Sequence, residues 1–515
     1  MAHLRSGRTR WLAALVGLLS ALAPLSPARA LEEVEVELPL IQSTMRVRLS
    51  ELNNPESLRS GTTELAELDR ATDGKVAQAL LKLLNHRLPL SISQMAQTAV
   101  GSPLLEQALL LVSSLGTVEG RPPDLTGETL ELALRKAVAE APDGQPTLLQ
   151  LMQAIPGQRV RLNLSLAGQG LKRMLEQRNL ADQLLARATP AAVAPPSRAS
   201  VSSSSVRSST LQLPVKHRTA PLQLLLIEPT AKANGRLVLI SHGLWDSPES
   251  FEGWARRLAA RGYTVVLPWH PGSDKQQQSE VLTGKAPPPT PQELGLRARD
   301  LTAVLDGVAS GQLKTAAPVD TSRVVVLGHS WGATTSLQLA GLVPTESKLL
   351  SRCGDVSDAE RNLSWTLQCS WASGVSQAAV NDDRVIAVVA VSPPMSLLFP
   401  RESGHDLNTR VLLVSGSRDW VVPPDPEAIR PLQVVDLHGH QLVLVKGGDH
   451  FNLRPRQNAD GGVLGPLIQA WTDAAFAAGQ RVKPGAGVGP LLLSGAWGSA
   501  AMPMADVSPL LPSSR

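Results

Sequence analysis

Val324-Val325-Val326-Leu327-Gly328-His329-Ser330-Trp331-Gly332 decides how the chain is read, because an apolar run leads straight into a G-x-S-x-G pentapeptide. The run predicts a buried strand, and the pentapeptide a sharp turn that lifts a serine hydroxyl clear of the sheet. Both glycines matter, since the turn crowds its own backbone and leaves no room for a Cβ. Ala333-Thr334-Thr335-Ser336-Leu337-Gln338-Leu339-Ala340 predicts a helix whose free N–H groups point back at the serine. The pentapeptide alone is a modest signal. A strand before it and a helix after it make it a strong one.

A serine hydroxyl is a weak nucleophile until a base takes its proton, so partners are required. Val411-Leu412-Leu413-Val414 predicts another buried strand, with Gly416-Ser417-Arg418-Asp419-Trp420-Val421-Val422-Pro423 directly behind it. Leu442-Val443-Leu444-Val445 predicts a further one, followed by Gly447-Gly448-Asp449-His450-Phe451. Ser330 is then the nucleophile, His450 the base, and Asp419 the acid that fixes the imidazole tautomer. Asp425 and Asp436 stand as alternative acids, and Asp449 faces away from His450 if it continues the turn. His438 and His440 precede the last strand, the wrong end for a site at the strands' carboxyl edge. Taken singly, Asp419 is a turn cap and His450 a loop histidine. In order, each just past a strand, they form a catalytic set.

Acyl chemistry also needs donors for an oxyanion. Arg236-Leu237-Val238-Leu239-Ile240 predicts an early strand ending in Ser241-His242-Gly243-Leu244-Trp245. The expected donors are the main-chain N–H groups of Leu244 and Trp331. His242 is expected to fix this loop through hydrogen bonds, not to take part in chemistry. Trp245, Trp331 and Trp420 adjoin these elements, either as packing or as an apolar wall for the substrate.

An apolar fraction of 43% in 515 residues supports a large core and two domains. The 49 basic and 45 acidic residues are interspersed, which argues against a nucleic-acid surface. No metal-ligand cluster or dinucleotide fingerprint stands out, so no cofactor is expected. Arg5, Arg8 and Arg10, the apolar run Trp11–Leu22 and Ala28-Arg29-Ala30 predict a secretory signal peptide over residues 1–30. The mature chain is then expected outside the cytoplasm, secreted or periplasmic, with no integral membrane span. In that oxidising setting Cys353 and Cys369 are expected to form a disulfide, worth about 3 kcal/mol by chain entropy. They lie in a polar stretch, 347–379, that reads as an insertion above the site, with the disulfide stiffening a lid or rim.

Periodicity gives a mostly helical N-terminal domain over 31–188, with a strand pair in Glu32–Leu49 and a strand at Val160–Leu164. Its helices are expected at Val76–Leu84, Pro103–Leu115, Leu125–Ala141 and Leu171–Ala186. A Ser-, Pro- and Ala-rich linker is expected at 189–214, a catalytic domain at 215–480 and a disordered Gly- and Pro-rich tail at 481–515. Strands alternate with helices between Leu222 and Ala478, which predicts an α/β domain with a mainly parallel sheet covered on both faces.

Five stretches carry a family resemblance: Ser241–Trp245, Trp269-His270-Pro271-Gly272-Ser273-Asp274, Gly328–Gly332, Gly416–Pro423 and Gly447–Phe451. Together they resemble the α/β-hydrolase superfamily, in its platelet-activating-factor acetylhydrolase and dienelactone-hydrolase-like branch, and the chain order Ser330, Asp419, His450 is the superfamily's. The whole mature chain is similar to secreted hydrolases, known largely from cyanobacteria, with an N-terminal helical domain of unknown function. Leu88-Pro89-Leu90-Ser91-Ile92-Ser93 and Val160–Leu164 belong to that domain. The resemblance implies an α/β-hydrolase fold and hydrolysis of a small-molecule or lipid ester, short-acyl lipids included, through an acyl-enzyme. Two departures stand out. Ser330 occupies the position where dienelactone hydrolases proper carry cysteine, and no counterpart of the membrane-facing surface of eukaryotic phospholipid acetylhydrolases is identifiable; the Ser-rich linker is also longer than the family's usual join. A peptidase or amidase on the same triad, or a non-catalytic binding protein, are the alternatives. Acyl length and oligomeric state are not fixed by these motifs.

Overall fold

The computed structural model describes residues 31–511 except 39–42, 89–97, 114–115, 120–126, 143, 196–204, 401–406, 433–438, 456–459, 480–488 and 494. Residues 1–30, expected to be a signal peptide, and the rivals Asp436 and His438 therefore lie outside the described residues. Among the described residues no helix is long and apolar enough to cross a membrane.

The run Val324–Leu327 becomes the buried part of strand β9 (Asp320–His329). On one side β9 pairs in parallel with β7 (Arg236–Ser241), and on the other with β10 (Val385–Val391). From β10 the parallel sheet continues to β11 (Arg410–Gly416) and β12 (Gln441–Val445). From β7 it continues to β8 (Thr264–Pro268), then antiparallel to β6 (Leu222–Pro229) and β5 (Val206–Leu213). Every residue of β10 is buried, as a strand covered on both faces requires.

Strand alternation divides the core in two. Val324 and Val326 face the helices Glu293–Ala309 and Trp331–Ala340 through Leu294, Leu301 and Leu337. Val325 and Leu327 face the helices Glu252–Ala259 and Gly465–Ala478 through Trp254, Leu258, Ile468 and Trp471. The chain departs from β7 toward β8 in one direction and from β9 toward β12 in the other. That divergence places a topological switch point at the carboxyl ends of β7 and β9, the position where open α/β sheets hold ligands.

The expected domain limits shift in four places. Val206–Leu213, expected within a flexible linker, is the edge strand β5. It buries only Val206 and Leu213 fully, because an antiparallel edge strand needs little apolar surface, and its serines disguise it. Within the expected disordered tail, Met504–Asp506 forms strand β13, antiparallel to β12, while Leu492 and Trp497 enter the core. A few large apolar anchors suffice to order a Gly- and Pro-rich segment. The stretch 347–379 is not a purely polar insertion either. It buries Trp365, Trp371 and Val375, and its Cys353–Cys369 disulfide joins the end of one short helix to the interior of the helix Ser364–Ser370.

The fourth shift concerns the N-terminal region. The chain forms two compact units. One takes in the chain to Leu88, Gly116–Pro123 and Leu132–Asn163; the other contains Leu164–Arg515 and the intervening pieces. The single helix expected at Leu171–Ala186 is two, Leu164–Glu176 and Asn179–Arg187, and both belong to the second unit. They separate because the Asp425 carboxylate accepts from Leu180 N and Ala181 N and caps the second helix at its start. The first unit holds a four-stranded sheet made of β1 (Glu33–Leu38), β2 (Ser43–Arg48), β3 (Gly116–Val118) and β4 (Arg159–Asn163), in the order β2-β1-β4-β3. Glu33 and Glu35 register against Arg159 and Arg161 across β1 and β4, and ion pairs follow that register. The helix Lys75–Leu84 packs Leu81 and Leu84 into this unit's own core.

Candidate active site

Ser330 stands between β9 and the helix Trp331–Ala340 with φ 54° and ψ −125°, a backbone conformation that L residues rarely adopt. Steric contacts impose the flanking glycines. A Cβ at Gly328 would strike the Gly332 carbonyl, and one at Gly332 would strike the carbonyl of Ser241 in β7. The turn therefore exists only where strand, helix and neighbouring strand approach at backbone distance. Ser330 N donates to Val391 O of β10 at 2.9 Å.

The loops behind β11 and β12 bring Asp419 and His450 together, with His450 Nδ1 bonded to Asp419 Oδ2 at 3.0 Å. A carboxylate only accepts, so Nδ1 carries the proton and Nε2 is left as the basic nitrogen. The other oxygen, Asp419 Oδ1, accepts from Val421 N at 3.0 Å and Val422 N at 2.8 Å. His450 lies beside the elbow: its ring centroid is 4.7 Å from that of His329, the residue before Ser330. His329 Nε2 also donates to the His450 carbonyl at 2.9 Å, tying the histidine loop to the serine turn.

The rival groups are occupied elsewhere. Asp425 caps the helix Asn179–Arg187. Asp449 accepts from Phe451 N and Asn452 N within its own turn. His440 Nδ1 accepts from Val411 N at 3.0 Å, at the opposite end of β12. Of the tryptophans, Trp331 is fully buried, whereas Trp420 is 48% exposed and packs 6.3 Å from Phe451, itself 51% exposed. Phe451 meets the His450 ring edge-on at 5.4 Å. Two half-exposed aromatic rings beside a histidine make an apolar rim.

The loop after β7 runs beside the serine: a Cβ at Gly243 would lie 3.2 Å from Ser330 Cβ. Among the described residues, Leu244 N and Trp331 N meet no protein acceptor. His242 acts within the loop, donating from Nδ1 to Gly243 O at 2.8 Å and accepting at Nε2 from His270 N at 3.2 Å.

Behind this loop lies a buried polar network that the sequence reading missed. Arg297, with no exposed surface, donates to His242 O and to Ser273 Oγ at 3.0 Å, and its guanidinium lies 4.8 Å from the Trp331 ring centroid. It thus touches both segments expected to supply oxyanion donors. Burial pushes this guanidinium down to about 9. Asp300 accepts from His217, His270 and Arg218; burial opposes its ionisation, yet these donors hold it well below the usual carboxylate range. The signal was present in the helix Glu293–Ala309: Glu293, Arg297 and Asp300 fall on one helical face. Among the described residues, no group of three or more His, Cys, Asp or Glu side chains is arranged to hold a metal ion.

Residues 237–497 match the family model described as the alpha/beta hydrolase family. The chain belongs to this family. The match begins in β7 and includes Ser330, Asp419 and His450. No curated protein matches the chain. Membership of the alpha/beta hydrolase family accounts for the nine-stranded, mostly parallel sheet, and it assigns the chain to hydrolytic chemistry.

Three buried histidines of this hydrolase predict an acid-sensitive fold. Burial, then nearby charge, lowers His242 and His329 well below their ordinary value and His270 to about 3. Below pH ~6.5 the unfolded chain binds protons on these rings that the folded chain refuses, so stability falls by about 1.4 kcal/mol per pH unit for each. Urea unfolding is expected to show a lower midpoint at pH 5.0 than at pH 7.5. An unchanged midpoint would contradict neutral, buried histidines.

Proposed function

We propose that the chain is a serine-dependent carboxylic ester hydrolase of the platelet-activating-factor acetylhydrolase and dienelactone-hydrolase-like branch, exported from the cytoplasm. The observation that carries the reading is the 3.0 Å contact from His450 Nδ1 to Asp419 Oδ2, on a loop tied to the strained Ser330 turn. The leader-like N-terminus and the Cys353–Cys369 disulfide support export.

In this mechanism Ser330 Oγ attacks the ester carbonyl carbon while its proton passes to His450 Nε2. The carbonyl oxygen becomes an oxyanion that accepts from Leu244 N–H and Trp331 N–H. The carbon–oxygen bond to the alcohol then breaks, and the alcohol departs with the proton from His450. Water attacks the acyl-enzyme, gives its proton to the same nitrogen, and the acid leaves as Ser330 regains a proton. Asp419 remains ionised throughout, orienting the ring and stabilising its cationic form.

Fluorophosphonate labelling followed by peptide mapping tests the activated serine. The label is expected on Ser330 alone, with turnover of p-nitrophenyl acetate and none of the matching p-nitroanilide. Absence of label on folded protein removes the reading, and faster anilide cleavage replaces it with an amidase.

A further inference from the structure

One face of the helix Leu164–Glu176, together with Leu111, Leu363 and Trp420, walls a groove of about 360 Å³. Ring contacts fix its position relative to the triad. Trp420 succeeds Asp419 in the chain, its ring meets Phe451, and Phe451 meets His450. The groove thus leads away from the catalytic rim. Its walls are largely apolar, and Met174, Leu363 and Trp420 expose 40%, 37% and 48% of their surface.

Arg173 and Arg361 line the same groove. Arg173 donates to Val356 O at 3.3 Å, and Arg361 to Cys353 O at 3.0 Å and Asp355 O at 3.1 Å. Among the described residues neither guanidinium forms an ion pair with a carboxylate. Arg361 is buried; burial and then the like charge of Arg173 lower its pKa, and the carboxylates of Asp355 and Asp358 offset this only in part. Two cations on an apolar groove oppose each other unless an anion joins them, and a guanidinium binds a carboxylate or phosphate more strongly than it binds a main-chain carbonyl. Met174 and Trp420 offer the surface an alkyl chain covers, with its anionic group at the arginines.

We propose that this groove binds an alkyl chain carrying an anionic group, and that the ester cleaved at Ser330 is accordingly an anionic amphiphile. The second half rests on the ester-hydrolase reading; the first does not. A helix that precedes the catalytic sheet in sequence would then select its substrate.

Calorimetric titration of the full chain carrying Ser330→Ala tests binding apart from turnover. Decanoate and decyl phosphate are the anionic probes, decyltrimethylammonium the cationic one, and acetate an anion without a chain. At least one anionic decyl probe is expected to bind about tenfold or more tightly than the cationic one, a ratio typical of a charge-assisted contact. The better of the two then identifies a carboxylate or a phosphate ligand. Acetate is expected to bind more weakly than decanoate. Arg173→Gln, which removes only one long carbonyl contact, is expected to abolish the preference for anions, and Met174→Asp to weaken all decyl probes. Equal binding of anionic and cationic probes overturns the proposal, as does unchanged binding in both variants. Decanoate binding without any ester turnover by the unsubstituted chain sustains the groove and removes the ester reading. Turnover of neutral esters without binding of either anionic probe does the reverse.

Discussion

Ser330→Ala is expected to lower kcat for p-nitrophenyl acetate by about 10⁴-fold or more, the loss typical of deleting a triad nucleophile. The fold should survive, because alanine keeps the Cβ and removes only the Oγ. Its positive φ remains strained with alanine, so stability should change by less than about 1 kcal/mol. Circular dichroism and urea unfolding check the second part. A folded variant that keeps wild-type turnover would transfer the chemistry away from the elbow.

Arg297→Met is expected to produce the other large effect, on stability and kcat together. The guanidinium is fully buried, bonds His242 O and Ser273 Oγ, and lies against the Trp331 ring. Removing it leaves Asp300 and Glu293 with Arg218 as their paired guanidinium and strands the His242 carbonyl. The destabilisation should be about 1–3 kcal/mol, the cost of leaving buried hydrogen-bond acceptors without their donor. Because Arg297 touches both oxyanion segments, kcat should fall by about 10²-fold with KM little changed, the signature of lost transition-state stabilisation. Arg297→Lys should recover part of the stability but little of the rate, since an ammonium cannot reproduce the planar fork. A stable Arg297→Met protein with unaltered kcat would mean that the loop after β7 holds its shape without the cation.

What the sequence discloses follows from how each element is buried. Val324–Leu327, Val411–Val414 and Leu442–Val445 are legible because a strand covered on both faces is a continuous apolar run. Ser330, Asp419 and His450 are legible because each closely follows such a run. β5 escapes notice because a one-sided edge strand tolerates Arg207-Ser208-Ser209-Thr210. Arg297 escapes because a charged residue in a helix ordinarily faces water, and only its spacing from Glu293 and Asp300 hints otherwise. The split between Leu164–Glu176 and Asn179–Arg187 depends on a carboxylate from Asp425, far along the chain, which local periodicity does not register.

β13 carries a practical lesson about where this chain can be cut. Its three residues, Met504–Asp506, cover the outer edge of β12, and Met504 and Ala505 are buried there. The family match stops at residue 497, ahead of that cover. A protein trimmed to the match would present β12 as a bare row of amides and carbonyls, open to pairing with the same edge on a second molecule. Taking the limit of homology as the limit of the domain would thus turn a capped sheet into a sticky one.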